Sequence, residues 1–139
     1  MPVRHEIQAC AGLIAVHLSG HVTAAEIFAY FAELAADPAL RPNLAVVADC
    51  REVTGMPTFA ELGAVADAEP RTPPELRPTH AAVLVSTPWL FGIARQFASL
   101  AEPKGIRVMP FYDRDEADRW LVATRDSTAA SSSSDLTTR

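Results

Sequence analysis

The sequence predicts an α/β domain built on a mixed five-stranded sheet, with its elements in the order ββαβαβαβα. Three observations carry that prediction. First, three apolar runs, Leu44–Asp49, Ala81–Ser86 and Ile106–Asp113, each end in polar residues that open an amphipathic helix, the pattern of parallel strands joined by helical crossovers. Second, two shorter apolar runs precede them, close enough in sequence to form a hairpin. Third, a hydroxyl or carboxylate residue stands at each helix start, where a side chain satisfies amides that the helix leaves unpaired. The repeated strand-to-helix junction aligns three strand ends on one edge of the sheet, where small molecules and partners dock on such folds.

Each element follows from local chemistry. Val3–Gln8 alternates loosely and reads as the first strand, Ala9-Cys10-Ala11-Gly12 as a turn of small residues, and Leu13–Leu18 as a second, antiparallel strand ended by Ser19–Val22. Thr23-Ala24-Ala25-Glu26 is a capping box, followed at helical spacing by Ile27, Tyr30, Phe31 and Leu34. Asp37-Pro38 ends that helix, because the residue before proline disfavours helical dihedrals. Leu44–Ala48 is continuously apolar, as suits a strand covered on both faces, and it ends at Asp49, ahead of a flexible segment at Val53–Pro57. Thr58-Phe59-Ala60-Glu61 repeats the capping box before Leu62 and Val65. Pro70, Pro73, Pro74 and Pro78 make a semi-rigid connection to the strand at Ala81–Val85. Thr87-Pro88 opens the next helix, whose core stripe is Leu90, Ile93, Ala94, Phe97 and Leu100 and whose close is Pro103 and Gly105. In the last strand, Ile106–Phe111, Pro110 predicts a sheet edge, since proline cannot donate to the ladder. Asp113-Arg114-Asp115-Glu116 caps a final helix with Ala117, Trp120 and Leu121 on one face. Strands three to five run parallel to strand two, and strand one antiparallel to it.

Composition bounds the function. The 139 residues suit one domain, residues 1–123, with a Ser/Thr-rich disordered tail over 124–139. A net charge of −5, with twelve dispersed Lys and Arg residues, argues against nucleic acid, which needs a basic patch, and against an acidic membrane surface. No apolar run approaches the ~20 residues of a membrane span, and Met1–Glu6 lacks the apolar core of a signal peptide, so a soluble, cytoplasmic protein without stable membrane insertion is expected. Cys10 and Cys50 have no CxxC neighbour and no His at ligand spacing. They are expected to be free thiols, with no metal and no cofactor.

The ordered motifs resemble the SpoIIAA-like family, which groups STAS domains with stand-alone bacterial STAS/SEC14-like proteins. Gly20-His21-Val22-Thr23 matches "G-x-V-T" after the hairpin, and Asp49-Cys50-Arg51 matches "D-x-R" at the third strand. Phe91-Gly92-Ile93-Ala94-Arg95 matches "F-G-x-A-R", and Glu116 to Leu121 matches "EA-x-x-WL". The resemblance implies a STAS-like fold and a regulatory or protein-interaction role more firmly than any activity. Anti-sigma-factor antagonists of this fold carry a phosphorylatable serine after the third strand. Here Asp49-Cys50-Arg51-Glu52 offers none, and Thr54 is the candidate phosphoacceptor only if a loop delivers it to that helix start.

Several residues admit both a structural and a binding reading. Asp49 and Arg51 either recognise a polar ligand or partner, or serve as a loop cap and a solvated charge. Ser86 and Thr87 either hold an anion at free helix amides or only cap the helix. Arg95, with Trp89 and Phe91 flanking the start of its helix, either points back toward Asp49 or a dimer partner in one contact surface, or covers apolar surface with its stem. His5, His17, His21 and His80 lack metal-site spacing, although strand pairing could bring His17 near His80. Cys50 with His21 is the sole imaginable nucleophile–base pair, and no G-x-S-x-G elbow is present. Three functions remain open: a non-enzymatic regulatory module that binds a protein partner or itself as a homodimer; a binder of a small apolar ligand or lipid under the helices; and a hydrolase using Cys50 or Asp49.

Overall fold

The computed structural model describes residues 3–68 and 73–124. The elements are β1 (Val3–Gln8), β2 (Leu13–His21), α1 (Ala24–Ala36), β3 (Ala45–Gly55), α2 (Phe59–Ala68), β4 (His80–Leu84), α3 (Pro88–Ala101), β5 (Arg107–Phe111) and a last helix, α4, over 114–124. The expected Ser/Thr-rich tail lies outside the described residues apart from Thr124. Within α4 that residue's hydroxyl donates to the Trp120 carbonyl at 2.9 Å.

The sheet order is β1-β2-β3-β4-β5, with β1 antiparallel to β2 and every other pairing parallel. Strands two to five are thus added in one direction. A constant right-handed crossover then places α1, α2 and α3 on the same face. Side-chain alternation confirms the two faces. Ile14, Val16, Leu18 and Cys50 join Ile27, Leu34, Val65 and Leu90 in one cluster, with Val46, Ala48 and Val83 packed on it. Ala45, Val47, Ala82 and Leu84 face the other way, onto Ala117 and Leu121 of α4. Among the described residues, α4 alone packs on that second face, over its β3–β5 half.

The expected caps form. Thr23 Oγ1 accepts from the Glu26 amide while Glu26 accepts from the Thr23 amide, and Thr58 and Glu61 repeat the exchange at α2. Pro110 does sit in an edge strand, paired on its inner side with Val83. Gly12, at φ 69°, closes the hairpin turn and accepts the first amide of β3 at 3.0 Å.

Two strand ends differ from expectation. β2 runs on to His21 and β3 to Gly55, not to Leu18 and Ala48. β4 leaves β3 at Asp49↔Leu84, and beyond that point β2 and β3 continue as a two-stranded ribbon through Ser19↔Glu52 and His21↔Gly55, with register shifts. Bulges of this kind increase local twist. The charged stretch Arg51-Glu52 reads as loop because these side chains face solvent, whereas Val53 is buried and anchors the ribbon. At its tip Gly55 leaves room for the exposed His21 imidazole, which a Cβ there would force to move.

Candidate functional site

The strand-edge residues singled out by sequence do not form one surface. Asp49 and Arg51 lie inside β3, two residues apart and so on the same face, the one that continues Ala45 and Val47. They are committed to each other. Asp49 Oδ1 accepts from Arg51 Nε (3.0 Å) and from the Arg51 backbone amide (3.1 Å), and Oδ2 accepts from Nη2 at 2.8 Å. The hydrogen-bonded guanidinium holds the Asp49 carboxyl below its usual range, against the opposing effect of partial burial. The pair extends a polar row across the half of that face on which, among the described residues, no helix packs. Arg4, His17 and Asp49 are successive cross-strand neighbours, with Arg4 Nη2 3.4 Å from His17 Nδ1 and His17 Nε2 2.9 Å from Glu52 Oε2.

Trp89, Phe91 and Arg95 belong to the other layer, on α3, whose Leu90 and Ala94 enter the cluster on the three-helix face. Ser86 stitches the two groups together, its hydroxyl donating to the Arg51 carbonyl at 2.9 Å. Thr87 Oγ1 accepts from the Leu90 amide at 3.2 Å, so both hydroxyls have structural roles. Trp89 is 51% exposed. Phe91 stacks on Tyr112, which follows β5, with ring centroids 5.3 Å apart and planes 7° from parallel. Arg95 stands one turn beyond Phe91 on the same side of the helix, exposed, and makes no hydrogen bond or ion pair among the described residues. Phe91, Tyr112 and Arg95 therefore share one side of α3, whereas Trp89, two residues before Phe91, leaves the first turn on the other side of the core stripe. Tyr112 escaped sequence reading because only the parallel β4–β5 pairing brings the end of β5 to the first turn of α3.

Thr54 is exposed within β3, and Thr58 caps α2 instead; the loop needed to bring Thr54 to a helix start does not exist. His17 and His80 are separated by β3, one bonded to Glu52 and the other packed edge-on against Trp120 at 5.8 Å. Cys50 faces the three-helix layer and His21 covers Gly55 in the ribbon. Burial, reinforced by the Asp49 charge, pushes the Cys50 thiol up to about 12, opposite to the shift that activates a nucleophile. Cys10 is exposed, and both thiols are free. Among the described residues, no group of three or more His, Cys, Asp or Glu side chains is placed to hold a metal ion, and no helix is long and apolar enough to cross a membrane.

Beneath the helices lies a feature that sequence could not locate. α1 packs on β1 and α3 on β5, while α2 leans on α1 and α3. The middle of the sheet is thereby left incompletely filled, and a cavity of about 150 Å³ remains, lined by Val16, Ala48, Cys50, Val83 and Leu90 among others. Phe31, Met56, Ile93 and Phe97 line it and also reach solvent. Its walls are almost wholly apolar, which suits an apolar guest.

A family model described as SpoIIAA-like matches residues 13–122, most of the chain. Among solved structures, the chain is similar to an uncharacterized protein of the DUF3478 family with a SpoIIAA-like fold, from Shewanella loihica PV-4. The TM-score is 0.52 at 16% identity, covering 86% of this chain and 91% of that one, a likeness that speaks to fold alone. No curated protein matches the chain.

Proposed function

The chain belongs to the SpoIIAA-like family, and from that membership and its sheet edge we propose that it is a non-enzymatic regulatory module that docks a protein partner through the first turns of α3. The observation that carries this is the stacked Phe91–Tyr112 pair at the start of α3, with Trp89 half-exposed in the same first turn. Aromatic side chains on rigid elements bury much area at little entropic cost, and with Arg they dominate interface hot spots. Arg95, exposed and without a partner among the described residues, supplies a charge-assisted donor at the rim. Affinity capture with the wild-type protein and with Trp89→Ser and Arg95→Ala tests the reading. Both side chains are exposed, so folding is retained. One protein retained by the wild type and lost from both variants is the expected result; an identical set of captured proteins from all three refutes it.

The cavity favours a second reading, a small apolar ligand. Its volume suits a guest of about the size of benzene, like an engineered 150 Å³ cavity that binds it, rather than a whole lipid. Native mass spectrometry of the purified protein tests this, with a co-purifying small molecule expected. No added mass, and no thermal stabilisation by toluene or indole, excludes it.

A further inference from the structure

The two edges of the sheet are unequal. β5 is blunted by Pro110, which has no N–H to offer a neighbouring strand. β1 has no proline or glycine over Val3–Gln8, pairs with β2 in unbroken register, and has no hydrogen-bond partner for its outer backbone groups among the described residues. Six residues offer about 20 Å of open ladder, a template for another strand unless something opposes pairing. Charged side chains usually supply that opposition. Here Arg4 and Glu6 carry opposite charges two residues apart, both exposed and on the same face.

We propose that the protein forms a two-fold dimer through β1, in which Val3–Gln8 pairs antiparallel with the same strand of a second copy about an axis at His5. In that register each Arg4 lies opposite the other copy's Glu6, and on the opposite face each Val3 lies opposite the other copy's Ile7. Symmetry leaves few alternatives. A two-fold perpendicular to the sheet keeps each side chain on its own face, so the axis must pass through a residue position. An axis at Arg4 sets Arg4 against its own copy, and one at Glu6 sets Glu6 against its own copy. Like charges directly opposite destabilise a ladder, and opposite charges stabilise it. An axis at Ile7 moves most of β1 off the pairing. The register at His5 alone joins opposite charges twice, and it extends two five-stranded sheets into one.

This surface is separate from the α3 edge, so Trp89→Ser leaves it intact. Sedimentation equilibrium across a wide concentration range is expected to give a monomer–dimer equilibrium for the wild type. Arg4→Glu and Glu6→Arg each turn two attractive pairs into two repulsive ones, weakening the dimer by roughly tenfold or more. The double variant, Arg4→Glu with Glu6→Arg, restores the complementarity and is expected to restore the dimer. Circular dichroism checks that each variant is folded. A wild type that is monomeric throughout overturns the proposal, as does a dimer indifferent to the single reversals or one not recovered in the double variant.

Discussion

Ala48 occupies the centre of the sheet and faces the cavity beneath α2. Ala48→Ile places three more carbons there, in a β-branched form that suits a strand. At about 0.8 kcal/mol per buried carbon, the transfer gain is about 2.4 kcal/mol. Immobilising the new side chain returns about 0.5–1 kcal/mol of that. The cavity itself bounds the effect: 150 Å³ at about 24 cal/mol per Å³ sets a ceiling of about 3.6 kcal/mol for filling it completely. A net stabilisation of about 1.5 kcal/mol is therefore expected, visible as a rise in Tm of roughly 5 °C. In urea, the midpoint rises at unchanged slope, because the surface exposed on unfolding barely changes. The same substitution abolishes any thermal upshift by toluene or indole, since the guest and the new side chain compete for one space. A variant destabilised by about 1–3 kcal/mol, the usual cost of overpacking, refutes the cavity and the ligand reading with it.

Gly55→Ala forces the exposed His21 imidazole to move and is expected to cost about 0.5–1.5 kcal/mol by urea unfolding, whereas the same change made in a His21→Ala background costs clearly less. Asp49→Asn removes a carboxylate whose folded pKa lies below its unfolded one, so the stability it contributes is present above about pH 4 and is lost as pH falls through the folded value. The partly exposed pair with Arg51 limits the loss to less than about 1 kcal/mol at pH 7, and melting curves of variant and wild type converge once pH falls below the folded value. Alkylation at pH 8 followed by mass spectrometry labels Cys10 in the folded protein and Cys50 only after unfolding, because Cys50 is buried and its thiol is pushed up to about 12.

What the sequence determined by itself is everything set by neighbours along the chain. Thr23, Thr58 and Thr87 announce helix starts because a cap hydroxyl reaches an amide three residues away. Pro110 announces an edge because a missing N–H is a local fact. The apolar runs at Val46 and Val83 announce central strands because both faces of those strands are covered. The tertiary structure decided the rest. Arg51-Glu52 reads as loop until β2 is seen to pair with it, since a strand open to water on one side is free to carry charge. Asp49 and Arg95 read as neighbours on one edge until the layers are assigned, because sequence gives strand ends but not faces. The one-directional strand order sends α3 to one face and leaves Asp49 on the other. The stacking of Phe91 on Tyr112 and the cavity under α2 depend on how far helices stand from the sheet and from one another, distances that no local pattern of residues encodes.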